Sequence, residues 1–387
     1  MSLVADGLLF DPLVTNCAAD PYPLYRRLRL EDPVHRCSGR DLWVLSRFDD
    51  LDWAAREWEL FSSAGTLASA DVNQILFTDP PLHDRLRAVV RDRFRAPTVA
   101  ALEPRLRALA ADLRSELDEA GTVDLARQFA WPLALAAVSD LVGVPPGERE
   151  ELLRALQRRT YASHFATSGG DPAAVEAEAD AVLAAAFEAL LAARSTRVTD
   201  DLLGDVASAV AAGALAMPDA VRLVDFLFEG LDTAANLVAS ALRSLVVERP
   251  AWPADGGGDL VQRAAVEELI RFDSPIQGTF RVTTGDVSRH GVTIPARSLV
   301  YMLFASANRD EARYEDAERL LLSRRPSRLL AFGTGTHVCP GAPLARLLLR
   351  LALPTLLELA PRYDVVDVER PVNEFTRAIL GLTCVPR

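Results

Sequence analysis

The sequence predicts a mainly α-helical chain with a small β-sheet region, and three observations carry that expectation. Alanine, leucine, arginine and glutamate, all good helix formers, dominate Val99 to Glu119, Ala174 to Arg194 and Ala342 to Leu359. An apolar stretch runs from roughly Pro218 to Glu248, long enough for a helix that crosses a whole domain. Strand-forming residues gather only in short runs, from Val34 to Ser46 and from Val287 to Met302, where Gly291 and Pro295 mark turns.

Taken in chain order, the N-terminal MSLVADGLLF has no basic region followed by a long apolar stretch, so neither a signal peptide nor a membrane anchor is expected. The protein is expected to be cytoplasmic. In DPPLHDRLR, Asp79 to Arg87, prolines open a helix that sets His83 and Arg87 four apart on one face, where both reach one anionic group or simply meet solvent. Gly169 to Pro172 form a loop between two helices. Within DFLFEGLDTAAN, Asp225 to Asn236, Gly230 and Thr233 are expected to let the long helix open locally, making a groove. Glu268 and Arg271 stand three apart in VEELIR, close enough for an ion pair or for ordinary helix surface.

A length of 387 residues would by itself favour two or three domains, but no internal repeat and no low-complexity linker beyond ADGGGD, Ala254 to Asp259, divides the chain. The formal net charge of -12 argues against nucleic acid as a partner. All the basic residues are arginine, and they cluster in RDRFR, Arg91 to Arg95, and at Arg346 and Arg350. That cluster is either a solvated surface or a docking patch for an acidic protein. Cys17, Cys37, Cys339 and Cys384 are too widely spaced for a disulfide framework or an iron-sulfur cluster.

The most telling segment is FGTGTHVCPG, Phe332 to Gly341, which sets a lone cysteine between turn-forming glycines and the helix of Ala342 to Leu359. Gly333 and Gly335 keep side chains out of the way, so a flat ligand can lie against the backbone. Free amide groups and the helix dipole favour a thiolate at Cys339. A structural zinc needs about four ligands, and no second cluster supplies them. Haem iron needs one axial ligand, so a single thiolate suits haem better.

The segment resembles the haem-binding loop of the cytochrome P450 family: Phe332, Gly333, Gly335, His337, Cys339 and Gly341 fill its fixed positions, and Leu344, Ala345 and Arg346 follow the same pattern. The resemblance implies a single P450 domain over residues 1 to 387, with haem b (iron protoporphyrin IX) as cofactor. It makes Cys339 the axial thiolate, packs Phe332 near the sulfur, and gives His337, His83, Arg87 and Arg281 to the haem propionates. Glu268 and Arg271 match the family's ExxR motif, with Arg319 expected as the third member of a structural trio. Asp232 and Thr233 occupy the acid and alcohol positions of the oxygen-activating motif, whose implied role is proton delivery.

Glu229 departs from that motif, which usually has alanine or glycine there. The string FEGLDT is similar to that of the fatty-acid omega-hydroxylating branch, where this glutamate is ester-linked to a haem methyl group, and the same covalent attachment is the expectation here. A neutral acid, an anion awaiting a basic substrate group, and a side chain turned to an arginine are the alternatives.

Carried over by position, the family's substrate-contacting segments place Leu67, Val72, Ile75, Leu76, Phe77, Phe226, Ile276 and Ile379 around an apolar pocket. Gln277 and Thr279, with Asn73 and Gln74, are expected to orient the substrate. The implied enzyme is a monomeric, soluble bacterial-type monooxygenase that inserts one oxygen atom from dioxygen into a small to medium organic molecule. No flavin or nicotinamide motif occurs, so ferredoxin and ferredoxin reductase are the expected electron donors. A peroxide-driven peroxygenase and a non-catalytic haem-binding recruitment module are the rival readings.

Overall fold

Short β-branched runs pair into sheets at the edge of a helical body, and the computed structural model describes this for residues 10–13, 20–66, 75–117, 121–166, 170–195, 199–252, 258–371 and 375–387. Among these residues ten strands occur: β1 Val34–Arg36, β2 Leu42–Leu45, β3 Phe61–Ser62, β4 Val123–Asp124, β5 Thr279–Thr283, β6 Val287–Arg289, β7 Val292–Ile294, β8 Leu299–Met302, β9 Tyr363–Glu369 and β10 Gly381–Pro386. One sheet has the order β1-β2-β8-β5-β3, with β2 and β8 parallel and its other pairs antiparallel. That register pairs Arg281 with Val300 and so fixes one of the expected cofactor ligands on a strand. A second sheet runs β4-β10-β9. The β6–β7 hairpin turns through His290 and Gly291, whose φ values of 52° and 78° suit a two-residue turn.

The long helix spans Met217–Glu248 and is buried on every side from Ala234 to Leu242, as a helix at the centre of a bundle is, with Asn236 and Ser240 the polar residues of that stretch. Helices Trp131–Val142, Pro172–Arg194 and Ala342–Leu359 pack against it. The expected helix over Val99 to Glu119 divides into Ala96–Ala100 and Glu103–Ser115. Pro104 has no N–H for the preceding turn but fits the start of a new helix.

Helix Asp259–Phe272 buries Glu268 and Arg271 completely, so each charge needs partners from the protein. Arg271 donates to both Glu268 oxygens at 2.6 and 2.8 Å, and to the carbonyl oxygens of Asn308, Ala317 and Arg319 at 2.9, 2.8 and 3.1 Å. Glu268 also accepts from the Leu321 amide at 2.9 Å and from Arg324 Nε at 3.1 Å.

Arg324 is thus the third charged member, and the expectation for Arg319 is corrected. The Arg319 side chain points outward to Asp316, and only its backbone carbonyl takes part. Arg324→Ala should lower stability by about 1.5–3 kcal/mol, the usual value of hydrogen bonds to a charged group. Arg319→Ala should stay within ~0.5 kcal/mol of wild type. Denaturant unfolding followed by circular dichroism measures both.

Candidate active site

The loop after residue 324 carries the thiol. Gly333 and Gly335 take φ values of 66° and 69°, and a Cβ on Gly335 would lie 2.4 Å from the Ala55 carbonyl oxygen, so glycine is required there. The Cys339 amide donates to the Phe332 carbonyl at 2.8 Å, closing the loop. From helix Leu82–Val90, Arg87 donates to the carbonyl oxygens of Val338 and Thr336 at 2.9 and 3.4 Å. The Arg346 guanidinium lies 4.8 Å from the centre of the Phe332 ring.

Cys339 is accessible although protein surrounds it, so its sulfur faces an internal hollow. Burial pushes the thiol up, while the amides of Gly341 and Ala342 and the charges of Arg87 and Arg346 oppose the rise. The expected thiolate therefore does not follow from the helix terminus alone; a cation at the sulfur is needed. Among the described residues no group of three or more histidine, cysteine, aspartate or glutamate side chains could hold a bare metal ion. A metal that brings its other ligands with it fits this single donor.

A second requirement appears around His337. Its ring centre is 4.4 Å from that of His83, its Nε2 is 3.0 Å from Ser63 Oγ, and it feels the charges of Arg281, His83 and Arg87. Burial and those charges lower its pKa to about 3. Arg281 is also buried, which lowers it to about 10, and it donates to the Phe280 carbonyl at 2.6 Å. Asp79, the carboxylate that favours the Arg281 charge, is itself held by Ser62 and Ser63. Two arginines and two histidines thus converge; Asp84 lies 3.0 Å from His83 Nδ1, but neither Arg87 nor Arg281 has an ion-pair partner among the described residues, as a cradle for two propionates would require. The lone sulfur and this cradle together fit haem.

The long helix faces the hollow at Gly230, where a Cβ would meet nothing within 4 Å, and at half-buried Thr233, while Leu227, Phe228, Leu231 and Asp232 are buried. The expected local opening is not present: the helix is continuous, and Thr233 Oγ1 donates to the Gly230 carbonyl at 3.0 Å. One hydroxyl bonding back three residues is compatible with an intact turn.

Asp232 accepts a hydrogen bond from Tyr161 at 2.5 Å, and burial raises its pKa to about 7. Glu229 has Arg159 Nη2 at 3.7 Å, and Arg159 Nη1 binds Asp225 at 2.5 Å. Burial raises Glu229, and Arg159 counters it.

The expected pocket residues divide. Leu76, Phe77, Phe226, Ile276 and Thr279 are half-buried, whereas Leu67, Val72, Asn73 and Gln74 lie outside the described residues. Three expectations are corrected. Gln277 accepts from Tyr25 and donates to the Ser274 carbonyl, so both ends of its amide are used within the protein. Ile75 and Ile379 lie in the hydrophobic core, and the Ile379 backbone is held by Asn236 and Trp131. The arginine cluster is also largely paired: Arg93 with Asp200 and Asp205, Arg346 with Glu267, Arg350 with Glu103, and Arg91 and Arg95 with Asp92.

Arg159, Tyr161 and Ser63 were not foreseen, because each reaches its partner across 66 or more residues of chain with no local signal.

A family model described as Cytochrome P450 matches residues 261–374. Cytochrome P450 107B1 of Saccharopolyspora erythraea is 32% identical over 381 residues, covering 92% of this chain and 91% of that protein. The chain belongs to the cytochrome P450 family. Cytochrome P450 monooxygenase PikC of Streptomyces venezuelae is 31% identical, over 89% of this chain and 85% of its own. A mutant of P450 EryK, solved in complex with erythromycin B, superposes with a TM-score of 0.82 at 28% identity, covering 96% of this chain and 98% of that one. This P450 is accordingly a haem-dependent monooxygenase of the bacterial type. No helix among the described residues is long and apolar enough to cross a membrane.

Proposed function

We propose that this P450 inserts one oxygen atom from dioxygen into a small to medium, largely apolar organic substrate, by hydroxylation or a related oxidation, in natural-product tailoring. The observations that carry the reading are the accessible sulfur of Cys339 and the open positions of Gly230 and Thr233 on a helix whose neighbouring residues Leu227, Phe228, Leu231 and Asp232 are buried. Half-buried Leu76, Phe77, Phe226 and Ile276 supply apolar contact, and Thr279 a polar one. The erythromycin B bound to the EryK mutant supports an organic natural product as substrate.

Cys339 would hold the haem iron, with Phe332 and Gly341 beside it in the loop, and His83, Arg87, Arg281 and His337 would hold the propionates. When bound, the haem supplies the reductive activation of dioxygen. Asp232 and Thr233 bring solvent protons to the cavity. Electrons come from ferredoxin and ferredoxin reductase. Because the arginines near Arg93 and Arg346 are neutralised by neighbouring acids, docking depends on a smaller net charge than the composition of that run implies. The whole chain acts as one domain, as a cytoplasmic monomer.

With a compound that displaces water from the iron, seen as a spectral shift, Thr233→Ala should lower oxygen-dependent product formation on the order of 10²-fold. Unchanged turnover would favour the peroxide-driven alternative. A wild type that binds such compounds but never turns them over with a surrogate ferredoxin would favour the non-catalytic module.

Glu229 has two readings. Its ion pair with Arg159 supports a free carboxylate held at the cavity wall, and the similarity of FEGLDT to ester-forming relatives supports a covalent link to haem. With the ion pair intact, acid denaturation and organic extraction should remove all the haem. Haem retained by the wild type and released by Glu229→Ala would establish the ester.

A further inference from the structure

The acid of the proton relay does not face the hollow. Asp232 and Thr233 are neighbours on one helix, about 100° apart in direction. Thr233 is half-buried toward the cavity, whereas Asp232 is 2% exposed and turned to the helix that ends at Thr160. There Tyr161 Oη donates to Asp232 Oδ1 at 2.5 Å, accepts from Asn236 Nδ2 at 3.1 Å, and Asn236 Oδ1 accepts from the Ile379 amide at 2.7 Å. Every donor in this row points the same way, from fixed backbone toward the carboxyl.

We propose that Tyr161 is a positioning residue of this enzyme: its hydroxyl holds the Asp232 carboxyl on the side away from the cavity and so governs when that carboxyl releases a proton toward Thr233. This rests on the relay role given to Asp232 and Thr233 above. An O–H donated to a carboxyl stabilises the charged form, so Tyr161 makes the proton easier to give up. Burial acts the other way and is the larger effect, and the nearby charge of Glu229 adds to it. The charged groups beyond are Arg159, which neutralises Glu229 in part, with Asp225 and Asp180 around it. No ion pair to Asp232 forms among the described residues, so neutral donors, the Tyr161 phenol first and the Asn236 amide after it, perform the task that a cation would otherwise perform.

Tyr161 also stands at a joint. Its backbone leaves the helical region, with φ -124° and ψ 40°, between helices Arg149–Thr160 and Ala162–Phe165. Arg159, two residues earlier, grips Asp225 and Glu229 on the same long helix. A movement of this joint would alter the hold on the acid and on the Glu229 ion pair together.

Infrared titration of the haem-loaded protein tests the contact without any substrate. Wild type should show a protonated-carboxyl band that titrates near neutral pH and is missing from Asp232→Asn. In Tyr161→Phe its midpoint should rise by about one pH unit or more, the tenfold change that losing one strong hydrogen bond brings. Replacing Tyr161 by 3-fluorotyrosine, a stronger donor of the same shape, should move it the other way. A midpoint unmoved in both Tyr161 variants would overturn the proposal, as would a band that survives Asp232→Asn. If the band behaves as expected but Asp232→Asn leaves the fraction of electrons lost as peroxide unchanged at every pH, the relay reading fails instead, and the role proposed for Tyr161 with it.

Discussion

A fully buried carboxylate and guanidinium, Glu268 and Arg271, set the constraint on which the rest of the structure depends. Two charges in an apolar interior are tolerated only when their donors and acceptors are matched, and a single helix turn cannot supply enough partners. The remainder come from the carbonyls of Asn308, Ala317 and Arg319, the amide of Leu321 and the side chain of Arg324. Residues 308 to 324 are thereby pinned against helix Asp259–Phe272. The cysteine loop follows directly, so its starting point is fixed before its own hydrogen bonds form.

From that anchor the site is assembled by two further closures. Arg87 binds the Val338 carbonyl and the Phe332 carbonyl takes the Cys339 amide, and the strand register of β5 delivers Arg281 to the group around His337. The result has a complementary pair of needs, a sulfur whose burial disfavours its ionised form and two arginines, Arg87 and Arg281, that no carboxylate pairs with among the described residues. One ligand answers both when it carries a metal at its centre and two acids at its edge. The same economy governs the long helix, where Asp225 and Glu229 share Arg159, and Asp232 is met by the neutral donors Tyr161 and Asn236.

The parts of the fold legible in the sequence were those written locally. The long helix, the cysteine helix and strands β1, β2, β6, β7 and β8 follow from composition and spacing, and the thiol loop from six fixed positions in ten residues; β3 and β5 did not show in the sequence. What escaped was set by contacts distant in sequence. Nothing near Arg324 distinguishes it from Arg319; burial alone does, since one side chain turns inward to Glu268 and the other outward to Asp316. Gln277 and Ile379 are expected in the pocket from their positions in the family's pattern, yet Tyr25, Asn236 and Trp131 hold them in the interior. The expected opening of the long helix failed for a related reason, because one threonine hydroxyl satisfied the Gly230 carbonyl without displacing the ladder.

A bond from Cys339 sulfur to haem iron is what this site requires, and the most direct measurement is the absorption spectrum of the reduced protein under carbon monoxide. A long-wavelength band of a thiolate-ligated centre is predicted for the wild type, and its loss for Cys339→Ser while the fold is retained. A wild-type protein that carries no haem, or whose carbon monoxide complex lacks that band, would contradict it.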